Sequence, residues 1–426
     1  MKKVFKFGGA SVKDAAGIRN VASIISKYGQ TSGLVIVVSA MGKTTNALEQ
    51  LLRLAREGRD YSMEMKQLKE LHFQAAESLF SDSVNKEQIL SGLSGYFQEL
   101  GNCLSQAQLA EADFIYDQVV SIGEYLSSFL LFSQLKELGQ TLFFIEAPAI
   151  LRTSDFWREA EVQMEESSAL IKNHLIPLLD RGNVLTQGFV GGTADGLRTT
   201  LGREGSDYTA ALLAYFTDAE SVSIWKDVPG VLSADPRWKP DAVLIPELSY
   251  QDAAELTFYG ATVIHPKTIR PLARRGIPLY VRSFLNPDAA GTLVGPSGKK
   301  LRQESWIRKP AQVLVSLSSR DFSFMEEQNI QEVLQAFSAA GLHMQMLQVS
   351  ATSISVVTDG EASRLERAFQ KITSRYSVLF NRNLTLITVL NPADAALEFR
   401  LNGHLPVLLQ KTRSTLQLLF PAESPD

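Results

Sequence analysis

The sequence predicts an α/β protein with a largely parallel central sheet, followed by a smaller α+β domain of the ferredoxin-like type. Over residues 1–285, short β-rich runs alternate with amphipathic helical stretches, which is the pattern of a sheet flanked by helices. Residues 311–426 instead read in the order β-α-β-β-α-β. Residues 286–310 are rich in proline, glycine and charge, so we expect an extended connection between the two domains there.

The elements of the first domain follow from its hydrophobic spacing. It opens with the strand "KVFKF", an amphipathic helix and the strand "GLVIVVSA". Residues 46–133 carry apolar side chains at three- and four-residue spacing, which predicts a helical insertion beside the sheet. Later strands are predicted at "TLFFIEA", "VLTQGFVGG", "SVSIWKDV" and "PLYVRSF", and helices at "DYTAALLAYF" and "YQDAAELTFYG".

The second domain is predicted from five segments. They are the strand "VLVSLSS", the helix "IQEVLQAFSAAGL", the strand "SISVVTD", the helix "ASRLERAFQKIT" and the strand "LTLITVL". One β-rich stretch of the ferredoxin-like order is less clearly marked.

Composition and charge exclude several classes of protein. With 45% hydrophobic and 21% charged residues and a net charge of −4, the chain gives no electrostatic case for binding nucleic acid. Its one cysteine, Cys103, supports neither an internal disulfide nor a multi-cysteine metal site. Lys6 and the Gly8-Gly9 pair interrupt any signal-peptide core, and the apolar runs fall far short of the ~20 residues of a membrane helix. We therefore expect a cytoplasmic protein without a membrane segment.

The familiar catalytic motifs are absent from the sequence. "GKTT" at 42–45 imitates a P-loop, but Val37 stands where that motif requires glycine. The chain also lacks G-x-G-x-x-G, G-x-S-x-G, H-E-x-x-H and the protein-kinase motifs. Polar, glycine-containing turns after predicted strands remain, and open parallel sheets bind ligands at the carboxyl ends of their strands.

The first of these turns is "KFGGAS". Lys6 shares a strand face with Val4 and lies beside Gly8 and Gly9, whose backbone amides can approach a phosphate closely. The turn therefore indicates a phosphate site. The alternative is an edge lysine whose stem covers the core while its ammonium group reaches solvent.

Two further segments offer groups that suit a small polar substrate. "SAMGKTTN" carries the hydroxyls of Ser39, Thr44 and Thr45, which could equally cap the following helix. "SIGEYLSS" places Glu124 in a helical pattern, where a carboxylate could hold an ammonium group. For a lone helical glutamate the alternative is a place on the surface.

The run "GFVGGTADGLRTTLGREGSDYTAALLA" is the most informative in the chain. A strand leads into a glycine-punctuated loop, and a helix starts at Ser206 with Asp207 in its first turn. Such a helix start can bind an anion, and the Arg203 guanidinium suits a carboxylate or a phosphate. A capped helix after a surface loop is the alternative.

The last turn is "WKDVPGVLSADPR". The Pro-Gly order at 229–230 predicts a tight turn of type II. Lys226, Asp227, Asp235 and Arg237 bracket that turn, so its cations could serve ATP, and a salt-bridged surface hairpin is the alternative.

Taken together, these turns resemble the aspartokinases of the amino-acid kinase family. "KFGGASV" is similar to the family's K-F-G-G-T-S-V, and "GREGSDYTAA", "WKDVPG" and "YGATVIHP" match three later motifs in order. The resemblance implies an amino-acid-kinase-like three-layer domain with an ACT-like regulatory domain behind it. It also implies ATP-dependent phosphorylation of the side-chain carboxylate of L-aspartate to 4-phospho-L-aspartate, the first step toward lysine, threonine and methionine.

The resemblance assigns roles by position. It implies that Lys6 and Asp207 are catalytic, Lys6 by stabilising the transferring phosphoryl group. The implied aspartate-binding residues are Thr45, Glu124 for the ammonium group, Arg203 for the α-carboxylate and, more weakly, Ser39 and Ser206. The implied ATP-binding residues are Lys6, Gly8, Gly9, Ser11, Lys226, Asp227, Arg237 and Thr262. Ala10 and Thr262 depart from the residues that relatives usually carry.

The expected ligands follow from the same resemblance. Mg²⁺ is expected to arrive with ATP, because it prefers phosphate oxygens and water, and no protein metal ligand is assigned. The ACT-like domain implies an amino-acid effector, although the segment offers Gln345, Ser350 and Ala351 where lysine-sensitive members place acidic groups. We expect a monofunctional protein, since no dinucleotide fingerprint indicates a fused dehydrogenase. The resemblance also implies a homodimer, because ACT-like sheets commonly pair through their edges or helices. The alternatives are a glutamate or acetylglutamate kinase and a catalytically silent amino-acid sensor.

Overall fold

The computed structural model describes residues 2–29, 33–81, 84–261, 264–296, 303–321, 323–401 and 403–421. The chain divides into two compact units. The first comprises residues 1–231, 244–257 and 262–300, and the second comprises residues 232–243, 258–261 and 301–426. This division differs from the predicted boundaries, because two short segments ahead of residue 285 are grouped with the second unit.

The predicted connection over residues 286–310 is wrong in part. Strand β10, Thr292–Gly295, lies inside it and pairs with two strands of the first sheet. A long strand of the second unit then begins at Ser305. Proline and glycine mark turns locally, whereas a short strand forms because it has pairing partners distant in the sequence.

Within its described residues, the first unit contains an eight-stranded sheet in the order β3-β4-β2-β1-β7-β9-β10-β8. The pairs along β3-β4-β2-β1-β7-β9 are parallel, whereas β10 runs antiparallel to β9. A small antiparallel pair, β5 and β6, stands apart from this sheet. The strands are β1 Lys3–Phe7, β2 Leu34–Val38, β3 Leu142–Phe144, β4 Asn183–Gln187, β5 Val190–Gly192, β6 Arg198–Thr200, β7 Ser221–Lys226, β8 Glu247–Ser249, β9 Leu279–Ser283 and β10. The largely parallel sheet expected from the sequence is confirmed.

Helices cover both faces of this sheet. The helices are α1 Ala15–Tyr28, α2 Thr44–Arg56, α3 Ser62–Leu79, α4 Lys86–Ser105, α5 Ala112–Val120, α6 Ile122–Glu137, α7 Met164–Leu170, α8 Ile176–Leu179, α9 Gly205–Thr217, α10 Tyr250–Phe258 and α11 Pro266–Arg275. Helix α6 packs on β2, β3 and β4, and the predicted helical insertion, α2 to α6, shares one apolar core with Phe5 and Phe7 of β1. Helix α9 packs on β1, β2 and β7, and it also contacts α11. No described helix is long and apolar enough to cross a membrane.

Strand β1 occupies the position that creates a ligand crevice. It lies between β2, the next strand in sequence, and β7, which enters the sheet only after the helical insertion. Ligands bind at the carboxyl ends of strands where the strand order reverses in this way. Lys6 is in register with Val37 of β2 and Ile224 of β7, so it lies inside the sheet. The interpretation of Lys6 as an edge lysine is therefore wrong.

The second unit has the predicted ferredoxin-like order. Its elements are β11 Ser305–Ser319, α12 Glu327–Ala339, β12 His343–Val349, β13 Ser353–Asp359, α13 Ala362–Ile372, β14 Tyr376–Leu390, β15 Leu408–Lys411 and β16 Thr415–Phe420. The sheet order β12-β13-β11-β14 is that of a β-α-β-β-α-β fold, and both helices pack against a shared core. Strands β16 and β15, which the sequence did not predict, extend the same sheet beyond β14.

Candidate active site

Lys6, Asp207 and Lys226 form a charge cluster at the crevice, in which Lys6 and Asp207 are buried and Lys226 is partly exposed. The Lys6 Nζ lies 2.6 Å from Asp207 Oδ1, and the Lys226 Nζ lies 3.2 Å from Asp207 Oδ2. Lys6 is on the strand face that α9 covers, as the alternation of β1 predicts, and Asp207 is in the first turn of α9. Two ammonium groups are thus held on adjacent strands by one carboxylate.

The electrostatics of this cluster favour an anionic ligand. Burial by itself raises the pKa of Asp207, but the attraction of Lys6 and Lys226 outweighs burial and the pKa is lowered. The carboxylate therefore stays ionised and fixes both lysines. The two ammonium groups lie at the carboxyl ends of β1 and β7, where a phosphate group can meet them.

The backbone of the turn after β1 packs closely against the backbone of the turn after β2. A Cβ on Gly9 would lie 2.6 Å from the Ala40 carbonyl oxygen and 2.9 Å from that of Gly42, whose amide donates to Gly9. Glycine is therefore required here because another backbone segment approaches so closely. The buried Ser11 hydroxyl donates to the Gly8 carbonyl at 2.6 Å, so it closes the turn.

Gly9→Ala is expected to destabilise the protein by about 1–3 kcal/mol, the cost of forcing extra volume into a packed site. The reason is that the new methyl group meets backbone oxygens, which cannot move aside as a flexible side chain would. Gly8→Ala is the matched control, because a Cβ there meets only the Lys6 Nζ at 3.5 Å. Denaturant unfolding of both variants checks this expectation, and equal stability of the two would contradict it.

A cavity of about 720 Å³ opens beside the charge cluster. This volume suits a small-molecule site, since such sites span about 300–1,000 Å³. Its lining residues are Gly9, Ser39, Ala40, Gly42, Thr45, Asp113, Tyr116, Glu124, Phe156, Trp157, Arg158, Glu159, Phe189, Gly202, Arg203, Glu204, Gly205 and Ser206. The structure thus brings Ser39, Thr45, Glu124, Arg203 and Ser206, all predicted to bind substrate, to one cavity.

The cavity wall is connected by hydrogen bonds across three segments. The Ser39 hydroxyl, after β2, donates to the Ser206 hydroxyl of α9 at 2.7 Å. The Ala40 amide donates to Glu124 Oε1 at 3.3 Å. These bonds hold the strand ends and two helices together, so the polar wall is organised without a ligand.

Glu124 is buried at the start of α6, with a relative exposure of 3%. Burial raises its pKa to about 8, and the Ala40 amide and Lys6 only partly oppose that effect. Its Oε2 atom is buried without a hydrogen-bond partner. The surface placement considered for this glutamate is therefore wrong, and an unsatisfied buried carboxylate oxygen suits a cationic ligand group.

Arg203 and Glu204 precede the N-terminus of α9. Arg203 is exposed on the cavity wall, and Glu204 adopts a left-handed conformation with φ 53°. Burial raises the pKa of Glu204, and Lys226 opposes that effect. Left-handed backbone in a residue other than glycine is strained and clusters at functional sites. The amides of Gly205 and Asp207 already donate to the Gly202 and Glu204 carbonyls, so the Arg203 guanidinium is the main donor here for an anion.

Asp227 and Arg237, which were also predicted to bind ATP, do not line this cavity. Asp227 is exposed directly after Lys226, and Arg237 belongs to the second unit, where its exposed side chain pairs with Asp235. Thr262 lies outside the described residues.

The predicted type II turn is wrong, because Gly230 has φ 155° instead of the value near 80° that such a turn requires. Val231 donates to the Thr292 hydroxyl instead.

Several site residues were not predicted from the sequence, among them Asp117, Arg158 and Phe189. Arg158 and Phe189 line the cavity from loops, where hydrophobic periodicity carries no signal. Asp117 had a readable signal, since Phe114 and Val120 lie three residues to either side of it on α5 and both pack in the apolar core. A carboxylate on the apolar side of a helix needs partners, and so indicates a specific role.

Comparisons with known proteins identify relatives of this chain. The amino acid kinase family model matches residues 1–283. Lysine-sensitive aspartokinase 3 of Escherichia coli (strain K12) is 35% identical over 291 residues, which are 68% of this chain and 63% of that relative. The aligned sequence therefore spans less than two thirds of the length of that curated relative.

Solved structures show the same similarity over both units. E. coli aspartokinase III in complex with aspartate and ADP, in its R-state, superposes with a TM-score of 0.82 at 27% identity. The T-state of that protein, in complex with lysine and aspartate, gives a TM-score of 0.80 at 27% identity. Each comparison covers 99% of this chain and 96% of the other. Because the family model matches residues 1–283, well over half of the chain, and aspartokinases are its neighbours in sequence and structure, the chain belongs to the amino acid kinase family.

Proposed function

We propose that this protein transfers the γ-phosphoryl group of ATP to the side-chain carboxylate of L-aspartate, giving 4-phospho-L-aspartate and ADP. One observation carries the proposal: a single cavity combines the unpartnered, buried Glu124 Oε2 with the Arg203 guanidinium, beside Lys6 and its charge cluster. Glu124 suits the ammonium group of an amino acid, Arg203 suits its α-carboxylate, and Lys6 suits a phosphate.

The chemistry needs alignment more than it needs a base. An oxygen of the substrate carboxylate attacks the γ-phosphorus, the bond between that phosphorus and the β,γ-bridging oxygen breaks, and ADP leaves with the electron pair. No proton has to be removed from the nucleophile. The main obstacle is repulsion between two anions, which Lys6 and Lys226 reduce because both are already fixed in place by Asp207.

The residues present also fit the nucleotide. The Gly8-Gly9 turn offers backbone that a phosphate can approach closely, and Lys6 and Lys226 offer positive charge. Mg²⁺, when bound, would neutralise phosphate charge. No group of three His, Cys, Asp or Glu side chains in the described ranges is placed to hold a metal ion. We propose that Mg²⁺ is held mainly by phosphate oxygens and water, because these are the ligands it prefers.

Aspartate is preferred to the alternative substrates because the relatives support it. E. coli aspartokinase III was solved with aspartate and ADP, and it shares the fold of both units. A glutamate or acetylglutamate kinase and a silent sensor have no comparable support. The paired lysines and Asp207 of the charge cluster also argue against a silent sensor.

The substrate assignment is tested by trapping the product. Purified protein with ATP, Mg²⁺ and L-aspartate is expected to give an acyl phosphate that hydroxylamine converts to a hydroxamate. Glutamate and acetylglutamate, supplied in parallel, are expected to give far less product. Turnover with either of them but not with aspartate, or no turnover at all across a range of pH and divalent metals, would overturn the proposal.

Regulation and assembly stay predictions. The T-state relative was solved with lysine, so we propose an amino-acid effector at the second unit. In this chain Gln345 accepts a hydrogen bond from the Lys309 Nζ at 2.7 Å, and Ser350 is bonded to Ser353. Titrating the hydroxamate assay with lysine, threonine and methionine tests which effector, if any, acts. We likewise propose a homodimer and a cytoplasmic location.

A further inference from the structure

Asp117 is a buried carboxylate that the proposed chemistry does not use. It lies on α5 with a relative exposure of 0%, next to the fully buried side chains of Val119 and Val120. Burying a charge among apolar side chains is costly unless hydrogen bonds compensate for the lost water. The hydrogen-bond partners of Asp117 therefore indicate the role of this buried carboxylate.

Those partners are hydrogen-bond donors from one loop and from the end of strand β6. The Arg158 amide donates to both carboxylate oxygens, at 3.1 Å each. The Thr200 amide donates to Oδ2 at 2.9 Å, and the Thr200 hydroxyl donates to Oδ1 at 2.7 Å. The carboxylate thus joins the loop around residue 158 to the end of β6, at points 42 residues apart in sequence.

Both joined segments form the wall of the cavity. Arg158 and Glu159 line it from the first segment, and Gly202 and Arg203 line it from the second, just after β6. The Ala160 amide donates to the Thr200 carbonyl at 2.9 Å, so the two segments run side by side. Arg158 adopts a left-handed conformation with φ 69°, which is unfavourable for an arginine and needs support from its surroundings.

We propose that Asp117 is a positioning residue of the amino-acid site, holding the Arg158 loop and the β6 end together so that Arg203 faces the substrate carboxylate. The inference rests on the proposed function for the identity of the substrate. It does not make Asp117 a ligand, because Asp117 does not line the cavity.

The pattern of donors explains why this residue must be an aspartate. Each partner group presents a hydrogen to the carboxylate, so the site requires an acceptor at both oxygens. Asparagine has almost the same shape, but its NH₂ group would face an N–H donor from Arg158 or Thr200. Asp117→Asn therefore breaks the connection between the two segments with little change in side-chain volume.

The experiment compares Asp117→Asn with wild type by steady-state kinetics and by hydrogen exchange. We expect the KM for aspartate to rise at least tenfold, with the KM for ATP changed less than twofold. Amide exchange in the ligand-free protein should become faster over residues 154–160 and 198–204, and stay unchanged elsewhere. Thr217→Val is the matched control: it removes a buried hydrogen bond at the far end of α9, and should move neither KM.

A second variant covers the case in which Asp117→Asn does not fold. Thr200→Val removes the hydroxyl, which donates to Asp117 and also lies 3.2 Å from the Arg158 carbonyl, and keeps both amide bonds to the carboxylate. The KM for aspartate should therefore rise less, and Thr200→Ser should restore it. An unchanged KM for aspartate in a folded Asp117 variant, or a uniform increase in exchange over the whole unit, would overturn the inference. If wild type does not phosphorylate aspartate, only the proposed function is overturned. The exchange data still test whether Asp117 holds the two segments together.

Discussion

Lys6→Ala is expected to lower kcat for aspartate phosphorylation by a factor on the order of 10²–10³, the scale of losing one preorganised charge-stabilising group. Lys6 is held by Asp207 at 2.6 Å in a position where it can meet the transferring phosphoryl group without reorganisation. The fold should survive the change, because Asp207 keeps Lys226 as a partner at 3.2 Å. Steady-state kinetics together with thermal unfolding separate the two effects.

Lys3→Ala is the control for this experiment, since Lys3 lies at the other end of the same strand. That variant should retain turnover within about twofold of wild type, as expected for a change away from the reacting groups. Near-normal kcat in folded Lys6→Ala would remove Lys6 from the mechanism. Loss of folding in Lys6→Ala would instead assign the charge cluster a structural role.

Glu124 should make amino-acid binding strongly dependent on pH. Because burial raises its pKa to about 8, the carboxyl is mostly protonated in the free protein at neutral pH, whereas an ammonium group requires it ionised. Affinity for aspartate should therefore rise about tenfold per pH unit below pH 8 and then level off. Binding at pH 7 should release close to one proton, which calorimetry in buffers of different ionisation enthalpy measures.

Glu124→Gln should abolish this pH dependence and raise the KM for aspartate about 10- to 100-fold at pH 8, equivalent to losing one charged hydrogen bond of about 1.5–3 kcal/mol. Glu137→Gln, at the exposed end of the same helix, is the matched control and should behave as wild type. A KM profile that is flat from pH 6 to 8 in wild type would contradict the assignment of Glu124 to the ammonium group.

The same pKa shift has a sign that stability measurements can check. The pKa of Glu124 is raised above its ordinary value of 4.5, so its contribution to stability is fully present below that pH and is lost as pH rises through about 8. In the ligand-free protein, wild type should therefore lose stability relative to Glu124→Gln over this window. Saturating aspartate should reverse the trend, because its ammonium group compensates the ionised carboxylate.

Sequence reasoning worked best where side chains alternate in a strand. The period of two placed Lys6 on the face opposite Phe5 and Phe7, and the structure puts Phe5 and Phe7 in the apolar core and Lys6 against Asp207. It could not decide whether β1 was a central or an edge strand. That depends on β7, a partner more than two hundred residues away, and no local pattern encodes such a pairing.

Sequence reasoning was less successful for two carboxylates on helices. Glu124 and Asp117 follow helical spacing, and propensity alone favours the surface for a carboxylate. Both are buried, because Ala40 in one case and Arg158 with Thr200 in the other come from segments that approach only in the folded chain. Burial then gives each carboxylate a raised pKa and a need for partners.

By itself the sequence determined the alternation of strands and helices, the ferredoxin-like order of the second unit and the polar turns from which the site is built, because these depend on local periodicity and turn chemistry. Only the tertiary structure decided that Lys6 is central, that Glu124 is buried with an unsatisfied oxygen, and that Asp117 joins two cavity segments. Each of these properties depends on the distance between residues far apart in the chain. That distance is fixed by packing, and packing decides which charges are removed from water.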